Sequence, residues 1–172
     1  MSSFGEPVSL TPFTPADAEA FAREMGRPAR GVLAVAYRCD HGIPAVLQTA
    51  PRLPDGTPFP TMFYLCCSAL TSAVSRMESA GVMREMTERL AGDQDLAERY
   101  RRAHLAYLAV RNAVDDLGIP VSAGGMPDRV KCLHVLVAHA LATGRGVNPL
   151  GDEAVDALGE YLRGEPPCAR LP

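Results

Sequence analysis

The stretch Val32-Leu33-Ala34-Val35-Ala36-Tyr37-Arg38-Cys39-Asp40-His41-Gly42-Ile43-Pro44-Ala45-Val46-Leu47-Gln48-Thr49 decides the fold class. Its first six residues form an apolar run short enough for a buried strand, and Gly42 with Pro44 signals a reversal. The chain then returns through Ala45–Thr49, which predicts an antiparallel hairpin. Met62-Phe63-Tyr64-Leu65-Cys66 supplies a third short strand. Upstream, Thr14-Pro15-Ala16-Asp17 opens a helix over about 15–25: Thr14 caps, Pro15 suits the first helical position, and Asp17 favours the positive end. Downstream, the pattern is helical over about 68–80, 82–91, 94–116, 127–142 and 152–163, punctuated by Gly81, Gly92, Gly118 and Gly144. Segment 127–142 is apolar on nearly every face (Val130, Leu133, Val135, Leu136, Val137, Leu141), which marks it as the central buried helix. The expected architecture is α+β, with a small antiparallel sheet of about three strands packed against a bundle of about five or six helices.

The 172 residues suit one compact unit. Residues 1–13 read as a loose arm, 14–163 as a single domain, and 164–172, with two adjacent prolines, as a tail. A net charge of −3 and a pI near 5.8 give no basic excess, and Trp is absent, so nucleic-acid binding is not expected. No apolar run approaches the ~20 residues of a bilayer span, and the N-terminus lacks a charged segment followed by a hydrophobic one. The expectation is a soluble cytoplasmic protein without a membrane partner.

In a cytoplasmic chain the five cysteines, Cys39, Cys66, Cys67, Cys132 and Cys168, are thiols or metal ligands rather than disulfides. Three of them fall at the ends of elements: Cys39 enters the Gly/Pro turn, Cys67 joins the third strand to a helix, and Cys132 lies early in the central helix. A cysteine near a helix N-terminus is biased toward thiolate, the metal-binding form. His41, two residues from Cys39, adds a donor that an irregular turn can aim at the same ion. Cys39, His41, Cys67 and Cys132 would suit tetrahedral zinc, and the three cysteines alone an iron–sulfur cluster with an unusual fourth position. The other reading is core packing, since cysteine is small and commonly buried, and no CxxC pair is present. Adjacent Cys66 and Cys67 cannot both face one core from a strand, so one of them is packing.

His134 and His104 are the candidate proton carriers, with packing as the alternative for each. If residue 132 is already helical, His134 points about 200° away from it, and His139 lies about 10.5 Å further along the axis. Two loops offer polar groups for an anionic substrate. Residues 50–61 carry four prolines and present Arg52, Asp55 and Thr57 on a stiff frame. Ser122-Ala123-Gly124-Gly125-Met126-Pro127 precedes the central helix, with Arg129 and Lys131 (the only lysine) beside it. Ordinary turn chemistry explains both loops as well.

Several motifs together resemble the bacterial family named domain of unknown function 501. They are Arg38-Cys39 with Gly42 and Pro44; Pro51-Arg52-Leu53-Pro54-Asp55-Gly56-Thr57-Pro58-Phe59-Pro60-Thr61 running into Tyr64-Leu65-x-Cys67; Gly81-Val82-Met83-Arg84-Glu85; Ser122-Ala123-Gly124-Gly125-Met126-Pro127-x-Arg129-Val130-Lys131-Cys132-Leu133-His134; and Asn148-Pro149-Leu150-Gly151. The resemblance implies cysteines at 39, 67 and 132 but not at 66 or 168. Where relatives carry Cys-x-Cys this chain has Cys39-Asp40-His41, and where they place proline it has Ser68. Two functions follow as expectations: a metal-dependent enzyme on a small anionic molecule, or a non-catalytic module that docks a partner protein and whose cysteines are a zinc staple or core packing.

Overall fold

The computed structural model describes residues 9–164, so Cys168 and most of the expected arm and tail lie outside the described residues. Helix α1 (Pro15–Met25) starts on a reciprocal cap: the Thr14 hydroxyl accepts from the Asp17 amide at 3.2 Å, and the Asp17 carboxylate accepts from the Thr14 amide at 2.9 Å. Strands β1 (Val32–Arg38), β2 (Pro44–Thr49) and β3 (Phe63–Leu65) form one antiparallel sheet in the order β1-β2-β3. Thr11 exchanges two backbone hydrogen bonds with Val35, which pins the described end of the arm to the sheet. Then come α2 (Ser68–Ser79), α3 (Val82–Gly92), α4 (Gln94–Val114), α5 (Leu133–Thr143) and α6 (Pro149–Tyr161). The chain is α+β, with a small sheet against a helix bundle, as its patterning predicts.

All six residues of β2 are buried because this middle strand is covered on both faces. On one face, Ala36, Val46, Phe63 and Leu65 join the main core with α2, α4, α5 and α6. On the other, Val35, Leu47 and Cys66 pack against Phe21 of α1 in a smaller cluster. The period-2 alternation of a strand thus sends neighbouring residues into two different cores. Cys66 and Cys67 divide in this way, with Cys67 in the main core. The Cys66 thiol donates to the Pro44 carbonyl at 3.2 Å, and burial raises its pKa.

The main core contains polar groups that fix its geometry. On α4 the buried stripe Leu96, Tyr100, Ala103, Tyr107, Arg111 follows helical spacing. The Tyr107 hydroxyl accepts from the Met62 amide, which locks the entry to β3. Arg111, fully buried, donates to the carbonyls of Val121 and Ile119 and so ties down the loop after α4. His139 lies between Phe63, stacked at 5.9 Å, and the edge of Tyr107 at 5.1 Å. Asn148 donates to its Nδ1 at 3.1 Å while the Asn148 carbonyl oxygen caps α6 through the Gly151 amide. With Nδ1 accepting, Nε2 carries the hydrogen; it is buried without a hydrogen-bond partner among the described residues.

Two stability predictions follow from these groups. Burial holds His139 down at about 4, whereas the unfolded imidazole takes its proton near 6.5. Its contribution is present above pH 6.5 and is lost as the pH falls toward 4, an effect on the order of 3 kcal/mol. Urea titrations at pH 7 and pH 4.5 should show a smaller loss on acidification for His139→Gln than for the parent. Arg38 grips the Asp17 carboxylate with two bonds (2.8 and 3.0 Å) and also donates to the Pro12 and Gly42 carbonyls, joining α1 to the hairpin turn. The hydrogen bonds from Arg38 hold Asp17 down at about 2, so this contribution is present above pH ~3.8 and is lost as the pH falls through about 2. Asp17→Asn should cost about 1–3 kcal/mol at pH 7, read from the urea midpoint.

Candidate functional site

The site is built by the backbone just before α5. Gly124 and Gly125 occupy positive φ, at 67° and 91°. A Cβ on Gly125 would lie 2.7 Å from the Arg129 carbonyl oxygen, so only glycine fits this turn. The turn closes through Lys131 N–H to Gly124 O (2.7 Å) and Arg129 N–H to Gly125 O (3.1 Å). Outside partners take the remaining groups: the Val130 amide donates to Thr87 Oγ1 at 3.0 Å, and the Tyr100 hydroxyl donates to Arg129 O at 3.2 Å. With these backbone groups committed, the helix expected from residue 127 begins at Leu133. Cys132 becomes its N-cap in an extended conformation (φ −153°, ψ 110°).

That shift changes which side chains meet. An extended Cys132 and a first-turn His134 are not separated by the 200° of a continuous helix. The Cys132 sulfur, a His134 ring nitrogen and a Glu78 carboxylate oxygen lie within 4.8 Å of one another. Glu78 comes from the last turn of α2, where its Oε1 accepts from the Leu133 amide at 2.8 Å and so caps α5 from outside. His134 is held at both ring nitrogens. Nε2 lies 3.2 Å from the Thr71 carbonyl oxygen and 3.4 Å from Ser75 Oγ, while Nδ1 lies 3.2 Å from Glu78 Oε1.

A carbonyl oxygen only accepts, so Nε2 bears a hydrogen in this arrangement. Nδ1 then faces a carboxylate, and two lone pairs cannot stably face each other at 3.2 Å. A proton or a metal ion must therefore lie between them. Without a metal, the hydrogen bond with Cys132, aided by the Glu78 charge, pushes His134 up to about 9 despite its burial. For Cys132, burial raises the thiol pKa, but the His134 hydrogen bond and the Val135 amide more than reverse this and hold it below its ordinary value. In the metal-free site the Cys132–His134 hydrogen bond thus favours the thiolate and the imidazolium, with the Glu78 carboxyl group beside them.

Cys132 and His134 of this group line a cleft, and Glu78 lies behind them. Cys132, His134, Thr71 and Val135 form one wall, and Met25, Phe59, Thr61, Phe63, Tyr64 and Leu65 complete a space of about 410 Å³. His134 and Glu78 remain 29% and 23% exposed, enough for a small molecule to reach them. The walls are mostly apolar and aromatic with a few polar side chains, a common form for a small-molecule site.

The other residues singled out from sequence fall elsewhere. Among the described residues, Cys39, His41 and Cys67 do not join Cys132 in a group of three donors at this spacing. Cys39 and Cys67 are buried in the main core, and His41 is exposed in the hairpin turn. His104 is buried on α4 with Nδ1 2.8 Å from Ser122 Oγ, and burial lowers its pKa. Arg52 pairs with Asp115 at 3.0 Å, and Asp55 accepts from the Thr57 amide at 2.9 Å within its own turn. Arg129 and Lys131 are exposed, and none of Arg52, Asp55, Thr57, Arg129 and Lys131 lines the cleft. Glu78 is the residue that sequence reasoning missed. Thr71, Ser75 and Glu78 share one face of α2 at spacings of four and three residues, but a polar helix face usually means solvent.

No helix among the described residues is long and apolar enough to cross a membrane. No curated protein and no solved structure matches the chain. The family model described as protein of unknown function (DUF501) matches residues 35–156, which takes in the sheet from the middle of β1 onward, the loop before α5 and all three members of the site. The chain belongs to the DUF501 family.

Proposed function

We propose that Glu78, Cys132 and His134 hold a divalent transition metal, and that the protein is a metal-dependent enzyme acting on a small molecule admitted by the cleft. One observation carries the reading: Nδ1 of His134 faces an acceptor-only carboxylate, with the Cys132 sulfur beside them, so three lone-pair donors converge where a cation is required. A thiolate, an imidazole and a carboxylate together suit zinc, whereas an iron–sulfur cluster calls for several thiolates and finds one here. Three protein ligands with a side open to a cleft is the usual form of a catalytic zinc site. Bound zinc supplies Lewis acidity and an activated water. The chain's own residues orient the donors: Thr71 O fixes the His134 ring through Nε2–H, and the Leu133 amide fixes Glu78. Such a site needs a reduced thiol, and a reducing cytoplasm would supply it.

Metal content of protein purified without oxygen tests this. About one zinc per chain is expected, with most of it lost in Cys132→Ser, His134→Gln and Glu78→Gln. Retention in Cys39→Ala and His41→Ala favours the compact set over the wider one of Cys39, His41, Cys67 and Cys132; loss there favours the wider set. Zinc that a chelator removes only on unfolding marks a structural staple and a non-catalytic module. Iron with sulfide, or no metal, overturns the proposal.

A second reading has its own support. If Nδ1 carries a proton, the lowered Cys132 and raised His134 make a reactive thiolate. An ordinary thiol is only about 3% ionised at pH 7. Metal-free protein should then be alkylated by iodoacetamide at Cys132 at least about tenfold faster than an unperturbed cysteine at pH 7. His134→Gln should remove that advantage, and the advantage should fade as the pH rises through about 9, where His134 loses its proton. Reaction at the ordinary rate would exclude this reading.

A further inference from the structure

A second cavity of about 200 Å³ adjoins the cleft, lined by Phe21, Arg27, Arg30, Leu47, Phe59 and Tyr64 among others. Phe59 and Tyr64 line both spaces, so one aromatic partition separates them. The two arginines give the smaller space its character. The Arg27 guanidinium sits 5.8 Å from the Phe21 ring centre and 5.6 Å from that of Tyr64, and it donates to the Tyr64 hydroxyl at 2.8 Å. It is therefore held in place by neutral groups, and no carboxylate among the described residues forms an ion pair with it or with Arg30. The acid nearest in effect is Asp55, whose charge feels Arg30 and which is already bonded to Thr57. Elsewhere on the surface, arginines such as Arg52, Arg89, Arg99 and Arg145 pair with carboxylates. Two arginines with no carboxylate at ion-pair distance among the described residues, one of them pre-positioned beside a cavity, are the elements of an anion site.

We infer that Arg27 and Arg30 bind the anionic end, a phosphate or a carboxylate, of a substrate whose apolar or aromatic body crosses Phe59 and Tyr64 into the cleft. The juxtaposition defines a substrate class: an elongated, amphipathic small molecule with its charge at the end remote from Cys132. This rests on the reading of Glu78, Cys132 and His134 as the reacting centre, and it relocates the anion contacts from the loops at 52–57 and 129–131 to the end of α1. The aromatic partition suits a planar body, which stacks on such rings.

Phenyl phosphate is the probe, with phenylacetate, the anion of phenylacetic acid, as the carboxylate counterpart and phenol as the uncharged control. Calorimetry should show saturable binding of at least one of the two anions to the full chain and weaker binding of phenol. Arg27→Gln with Arg30→Gln should weaken that anion about tenfold or more, and Arg27→Lys should recover part of the loss. Amide shifts should move at Val32 and Leu53 in the smaller cavity and at Thr71 and Val135 in the cleft. Glu78→Gln, which alters the reacting centre at a residue outside the cleft lining, should leave the anion affinity unchanged, so the two readings fail separately. Unchanged affinity in the double variant, absence of saturable binding by either anion, shifts confined to other surfaces, or loss of the anion in Glu78→Gln would each overturn the inference.

Discussion

The backbone hydrogen bonds of residues 124–133 hold the start of α5 in place, and the site depends on that position. Two glycines at positive φ turn the chain so that Lys131 bonds back to Gly124. Thr87 of α3 and Tyr100 of α4 take up the groups that a helix would otherwise use. A helix beginning at residue 127 would leave those tertiary partners unpaired in a partly buried region, at a cost of about 1–3 kcal/mol for each group. The later start exposes the Leu133 amide as an orphan donor, and Glu78 satisfies it. The same carboxylate then faces His134. One requirement, that backbone groups find partners, thereby assembles the donor set.

Electrostatics gives this set a different standing from the other charged contacts. Pairs such as Arg99 with Asp95 and Arg145 with Asp156 are largely exposed, so each contributes little and is screened by salt. Glu78, Cys132 and His134 are half-buried, and two of the three carry negative charge once the thiol ionises. The proposed metal would sit where His134 Nδ1 meets the carboxylate. The adjoining cavity has the opposite character, with two arginines that lack ion-pair partners among the described residues. The aromatic side chains Phe59 and Tyr64 stand between the regions of opposite sign.

Particular residues show how far the sequence could be read. The hairpin was legible because Gly42 and Pro44 interrupt two apolar runs, and α1 because Thr14, Pro15 and Asp17 spell out its cap. The helices after residue 68 were legible from their periodicity and their glycine breaks. Cys132 and His134 stood out through residue type, and the structure brings them together. Their pairing was not legible, because their angular separation depends on where α5 begins. Glu78 was invisible for another reason: its function comes from an amide 55 residues away in sequence, and local pattern carries no trace of that.

By itself the sequence determined the classes of element, their order, the apolar faces that bury them and the residue types available for chemistry. Those depend on steric preference and hydrophobic periodicity, which act over a few residues. Tertiary structure alone decided which donors converge, since α2 and the loop before α5 meet only when the core closes. It also decided which arginines lie beside a cavity and which are spent on surface pairs. Convergence is a property of distances through space, and one-dimensional order does not encode it directly.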